Sequence, residues 1–168
     1  MSILQNNSIT RPEYIRSYFG RGTLPTGGVP DQDTGGQNVV ISTINGISIC
    51  SGLGGIELGL GSVIRGLRTV CYVEREIPVA EVLAARIADG CLDDAPIWSD
   101  LRTFDPAPWR GKVHLLSGGF PCQPFSYASQ HRLQEADERN LWPDVRRIID
   151  GLGVPRVFLE NVPGILDY

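Results

Sequence analysis

Ile47-Ser48-Ile49-Cys50 runs into Ser51-Gly52-Leu53-Gly54-Gly55, and this junction decides the fold. A short apolar strand meets closely spaced glycines, which allow a tight turn and close backbone approach to a ligand. Beyond the turn, Ile56, Leu60, Val63, Ile64 and Leu67 fall on one face, predicting a helix over 55–67. The pattern repeats outward. A second strand is expected at 69–73, and a helix at 77–88 with Ala80, Leu83, Ala84 and Ile87 aligned. A weak strand follows at 96–98 and a fourth at 113–117. Leu141, Val145, Ile148, Ile149 and Leu152 mark a helix over 141–152, and a fifth strand occupies 156–159. Such alternation predicts an α/β fold, a mostly parallel sheet covered on both faces. Ligands of such sheets bind at the carboxyl ends of the strands.

One local signal conflicts. Val39 to Ile44, Asn45-Gly46 and the first strand form a two-residue hairpin pattern. A hairpin partner would compete for an edge that a central parallel strand needs, so Asn45-Gly46 is expected to be a plain turn into the strand. Residues 1–38 are rich in Gly, Pro, Asn, Thr and Gln, with Gly27-Gly28 and Gly35-Gly36 as breakers. They read as an irregular leader with a short helix around 12–19, followed by one domain over 39–168.

The 168 residues suit one domain, and 42% hydrophobic with 20% charged residues gives enough apolar material for a core. A net charge of −4 argues against a domain that grips nucleic acid alone, although positive charge gathered on one face or in another domain would serve. Of the 15 basic residues all but Lys112 are Arg; arginine suits phosphate and base contacts, and GC-rich coding gives the same skew. Cys50, Cys71, Cys91 and Cys122 lack the spacing of a zinc site. Neither a signal peptide nor ~20 consecutive apolar residues is present. The expectation is a cytoplasmic protein with reduced thiols, no metal and no membrane partner.

The chemistry-bearing residues all follow strands. Glu74 ends the second strand, 22 residues after Gly52, where an acid can accept from ribose hydroxyls. Asp100 follows the third and suits an adenine amino group. The turn and these acids alone leave a nicotinamide dinucleotide and another adenosyl ligand both open, although Gly-x-Gly-Gly is not the dinucleotide spacing. The fourth strand leads into Gly118-Gly119-Phe120-Pro121-Cys122-Gln123-Pro124. Cys122 sits between prolines beyond a strand end, where a thiol reaches a ligand; Cys50, Cys71 and Cys91 read as packing residues. Glu160, at the end of the fifth strand, is a general-acid candidate for the same pocket.

In order, Ile49 to Gly55, Glu74, Asp100, Phe120-Pro121-Cys122-Gln123 and Glu160-Asn161-Val162 resemble the leading motifs of DNA cytosine-5 methyltransferases. Asp137-Glu138-Arg139-Asn140-Leu141-Trp142 resembles the family's segment between cysteine loop and acid. The resemblance covers about residues 47–166. It implies a Rossmann-like methyltransferase sheet and S-adenosylmethionine as cofactor. Ser51, Gly52, Leu53, Gly54 and Gly55 would hold it, with Glu74 at the ribose and Asp100 and Leu101 at the adenine. It implies Cys122 as nucleophile and Glu160 as acid, with Pro121, Gln123, Asn161 and Val162 at the substrate. The partner would be DNA presenting a flipped cytosine.

The family's arginine motif, target-recognition domain and closing segment have no counterpart in these residues. The sheet is therefore expected to be incomplete at its C-terminal edge, with a partner chain completing the enzyme. Alternatives are a non-catalytic cofactor- or partner-binding fragment, an RNA (tRNA) cytosine-5 methyltransferase, and a nicotinamide-dependent oxidoreductase.

Overall fold

The computed structural model describes residues 42–121 and 140–167. The proposed leader, and Cys122 and Gln123 with the loop they begin, lie outside the described residues. Five strands form one sheet: β1 (Ile44–Ile49), β2 (Leu67–Val73), β3 (Ile97–Trp98), β4 (Leu115–Gly119) and β5 (Val157–Glu160). Three helices connect them: α1 (Gly55–Val63), α2 (Ile77–Ala88) and α3 (Trp142–Leu152). The order is β3-β2-β1-β4-β5, and every pairing is parallel. The chain reverses its direction of travel across the sheet between β1 and β4, the switch point where a crevice opens above the strand ends.

The central strands are apolar because both faces are covered. Ile47, Ile49, Cys71 and Leu116 pack with Phe104, Trp109, Val145, Ile148 and Leu152 in one cluster. Tyr72 packs with Leu83 and Ile87 of α2 and with Leu92 in another. Each fully buried Leu or Ile contributes about 1.5–3 kcal/mol. Burial pushes the Cys71 thiol and the Tyr72 phenol upward in pKa, so both stay neutral. Two buried serines of the central strands are satisfied: Ser48 Oγ donates to Ser51 Oγ at 2.8 Å, and Ser117 Oγ to Glu57 Oε1 of α1 at 2.9 Å.

The structure corrects the reading of Asn45-Gly46. Both lie inside β1, opposite Arg68 and Thr69. The strand is central, so β2 and β4 take its edges, and no edge remains for a hairpin. Asn45 is tied to the neighbouring segment: its N–H donates to His114 Nδ1 (3.0 Å) and its Nδ2 to the Lys112 carbonyl (2.9 Å). The first helix is shorter than expected. It stops at Val63, Ile64 turns extended, and Gly66 at φ 78° reverses the chain so that Leu67 opens β2. Val63 is 75% exposed and so does not belong to the core face. The fourth strand runs over Leu115–Gly119, and Gly118 pairs with Ile49 so closely that a Cβ there would stand 2.4 Å from the Ile49 carbonyl oxygen.

β5 is an edge strand among the described residues. Val157 and Phe158 point to opposite faces and are 41% and 46% exposed. No helix among the described residues is long and apolar enough to cross a membrane.

Candidate functional site

The site begins where β1 ends. Cys50 adopts φ 47°, a left-handed conformation that costs a non-glycine residue about 1–2 kcal/mol. It is over-determined by its successor. Ser51 N–H donates to the Val73 carbonyl at 3.0 Å, and Ser51 Oγ accepts from Val73 N–H at 3.1 Å. The turn is thereby stitched to the end of β2. Gly54, at φ 77°, disfavours a side chain: the left-handed backbone strains any other residue, and a Cβ would stand 2.5 Å from Leu92 Cδ1, which would have to shift. Gly55 is different: a Cβ there meets nothing within 4 Å. The fold gives no steric reason for glycine at 55. The helix α1 that follows has no side-chain cap, so its first-turn N–H groups remain available. From α2, Arg86 Nη1 donates to the Leu53 carbonyl and ties the turn from outside.

Glu74, at the end of β2, is nearly buried. Its Oε2 accepts from Gly52 N–H and its Oε1 from Glu76 N–H, each at 2.8 Å. One carboxylate thus fixes the turns after β1 and β2 together. Burial, and secondarily the Glu74 charge, pushes the Cys50 thiol up to about 12. Asp100 follows β3 and caps a 3-10 turn over Leu101–Thr103, its Oδ1 accepting from Arg102 N–H at 2.9 Å.

These strand ends surround a cavity of about 470 Å³ lined by Cys50, Gly52, Glu74, Asp100, Leu101 and Pro121, among others. The sequence-predicted Gly52, Glu74, Asp100, Leu101 and Pro121 therefore converge. Ser51 is buried behind them, Leu53 is 50% exposed, and Gly54 and Gly55 form the start of α1. Cys50 is half-buried at the cavity and Cys91 is exposed, whereas Cys71 alone of the described cysteines is a buried packing residue. Among the described residues no group of three or more His, Cys, Asp or Glu could hold a metal ion.

Glu160 closes β5 in register with Gly119, another residue of the cavity wall. A Cβ on Gly119 would lie 3.2 Å from Glu160 Oε2, so the glycine leaves room for that carboxylate. Asn161 Nδ2 donates to the Phe120 carbonyl at 3.0 Å, and its Oδ1 accepts from Val162 N–H at 2.8 Å. The Asn161 amide thus braces the segment leading into Pro121. Phe120 is buried and stacks on Trp142 with centroids 5.9 Å apart. Val162 packs against the main core cluster.

Sequence reasoning missed three residues. Cys50 could have been found from its position immediately before the glycine turn. Arg86 and Arg147, which hold the loops on either side of the cavity from distant helices, leave no local signal.

The family model for C-5 cytosine-specific DNA methylases covers residues 44–168. The chain is 36% identical over 121 residues to the Type II methyltransferase M.NgoMIV of Neisseria gonorrhoeae, covering 72% of this chain and 36% of that protein. It is 34% identical over 126 residues to M.PspPI of a Psychrobacter species, covering 72% and 28%. The chain thus spans about a third of the length of these curated relatives. Its fold is similar to that of a Spodoptera frugiperda DNMT2 mutant, with a TM-score of 0.58 at 20% identity over 75% of this chain and 38% of that one. With the family's model running from the first residue of β1 through the glycine turn, the paired acids and β5, the chain belongs to the C-5 cytosine-specific DNA methylases.

Proposed function

We propose that residues 39–168 form the cofactor-binding and nucleophile-bearing part of an enzyme that methylates carbon 5 of cytosine in DNA, with S-adenosylmethionine as methyl donor. The observation that carries this reading is the cavity at the switch point, walled by the ends of β1, β2, β3 and β4. Its volume lies within the range of small-molecule sites. The donor set fits an adenosyl ligand. Glu74 has lone pairs left for ribose hydroxyls after its two backbone bonds. Asp100 suits the adenine amino group. The open space at Gly55 and the uncapped start of α1 suit the ligand's carboxylate.

When bound, S-adenosylmethionine supplies an electrophilic methyl group. The chain's own residues prepare the acceptor. Cytosine carbon 5 is a poor nucleophile, and addition of the Cys122 thiolate at carbon 6 converts the ring to an enamine rich at carbon 5; after methylation, loss of the carbon 5 proton to a base breaks the Sγ–C6 bond, frees the thiolate and restores the aromatic ring. Glu160, as the acid, hydrogen-bonds N3 and neutralises the charge that develops there. Asn161 holds the Phe120 carbonyl and so braces the chain leading into Pro121. The base must leave the duplex stack to reach these groups.

The unpaired edge of β5 among the described residues suits a further strand, and Val157 and Phe158, exposed on its two faces, suit covering elements from a C-terminal region or partner that brings target recognition. The test is transfer of radiolabelled methyl to DNA by the chain with and without such a C-terminal methyltransferase region. Transfer is expected only with it, and is lost in Cys122→Ser while cofactor binding persists. Full activity of Cys122→Ser in the completed enzyme would refute the nucleophile.

A further inference from the structure

We infer that Arg147 is a positioning residue for base discrimination in the cavity: reaching from α3, it fixes the turn that presents Asp100. Its Nη1 donates to the Phe104 carbonyl at 2.8 Å, and its Nη2 to the carbonyls of Leu101 at 2.9 Å and Arg102 at 3.2 Å. The Leu101 carbonyl accepts from Phe104 N–H at 3.3 Å within the turn, and each carbonyl has a second lone pair that Arg147 can use. The guanidinium is a planar fork with several donors, so one side chain spans all three. A lysine ammonium offers its donors from one atom and lacks the second nitrogen that reaches the Phe104 carbonyl. Asp144, one turn earlier on α3, steadies the fork at 3.3 Å.

Other hydrogen bonds of the turn lie within it or come from Trp98. Asp100 Oδ1 accepts from Arg102 N–H, and the Asp100 carbonyl accepts from Trp98 Nε1 at 2.9 Å. Leu101 and Phe104 are buried, and the Phe104 ring meets Trp98 edge-on with centroids 6.1 Å apart. On the side facing α3, Leu101 and Phe104 pack with Val145, Ile148 and Leu152, and Arg147 supplies the side-chain hydrogen bonds to the turn's carbonyls. Releasing it frees the turn to rock about the Trp98–Phe104 contact, which moves the Asp100 carboxylate relative to Glu74 and the rest of the cavity. The consequence is specific: contact with the base edge degrades while contact with the ribose does not.

This inference rests on the reading of the cavity as an adenosyl site, and the test separates the two. The whole chain is titrated calorimetrically with S-adenosylhomocysteine and with S-inosylhomocysteine, which lacks the 6-amino donor. The wild type is expected to prefer the adenosyl probe by about tenfold, as one hydrogen bond to a charged acceptor allows. In Arg147→Ala and Arg147→Lys the preference falls below about threefold, chiefly through loss of adenosyl affinity, and lysine does not rescue it. Arg146→Ala, which removes an exposed partner of Asp150, leaves the preference intact. Melting curves establish that each variant is folded, and Asp144→Asn, which only loosens the fork, serves if the Arg147 variants do not fold. Failure of the wild type to bind either probe overturns the adenosyl reading itself. A wild type that binds both probes equally, or variants that weaken both in proportion, overturns the role of Arg147.

Discussion

Replacing Glu74 by glutamine separates what the fold needs from what the ligand needs. The carboxylate accepts two backbone N–H groups at 2.8 Å, one from each of two turns. An amide keeps a single acceptor oxygen, so one N–H then faces an NH₂ group in a nearly buried place. A hydrogen bond to a charged group is worth about 1.5–3 kcal/mol. Losing one of the pair should cost ~2 kcal/mol, a fall in melting temperature of roughly 4–8 °C for a chain of this size. Binding suffers separately, since the ribose hydroxyls lose a charged acceptor; affinity for S-adenosylhomocysteine should fall about tenfold or more. Scanning fluorimetry reads the first effect and calorimetry the second. Unchanged melting in Glu74→Gln would refute the tie between the two turns, and unchanged affinity would refute the ribose assignment.

Three further outcomes follow from the same geometry. Gly55→Ala should leave stability unchanged or raise it by about 0.5–1 kcal/mol yet weaken cofactor binding at least tenfold, whereas Gly54→Ala should cost about 2–4 kcal/mol by adding a strained φ and a clash with Leu92; denaturant melts and calorimetry distinguish them. Gly118→Ala should cost more than about 3 kcal/mol, because its Cβ meets the Ile49 backbone rather than a side chain that can move, and a soluble variant with a near-native denaturation midpoint would contradict this. Alkylation by iodoacetamide at pH 8, followed by peptide mass spectrometry, should modify exposed Cys91 well before Cys50. Because the Cys50 thiol is raised from about 9 to about 12, its contribution to stability is complete below pH 9 and is lost as pH rises toward 12, and Glu74→Gln should narrow that window.

Much of the fold was legible because the strands that matter are short apolar runs ended by glycine or acid. Leu83 and Ile87 in α2, and Val145, Ile148 and Leu152 in α3, kept strict helical spacing, and all five are buried. Boundaries failed where tertiary pairing overrode local signals. Asn45-Gly46 has turn chemistry, but the two neighbours of a central strand hold it extended. Leu67 continues an apolar helical pattern, yet Gly66 breaks the chain first. The acids at strand ends were readable because topology alone brings such positions together. Arg86 and Arg147 were not, because their function consists of bonds to carbonyls 33 to 46 residues away.

The central claim is that the cavity at the end of β1 is an S-adenosylmethionine site serving the Cys122 chemistry. Calorimetric titration of the chain with S-adenosylmethionine tests it most directly. One-site binding is expected, lost in Glu74→Ala, retained in Cys122→Ser and untouched by excess nicotinamide dinucleotide. Absence of binding by the wild type, or displacement of the ligand by the dinucleotide, would contradict it.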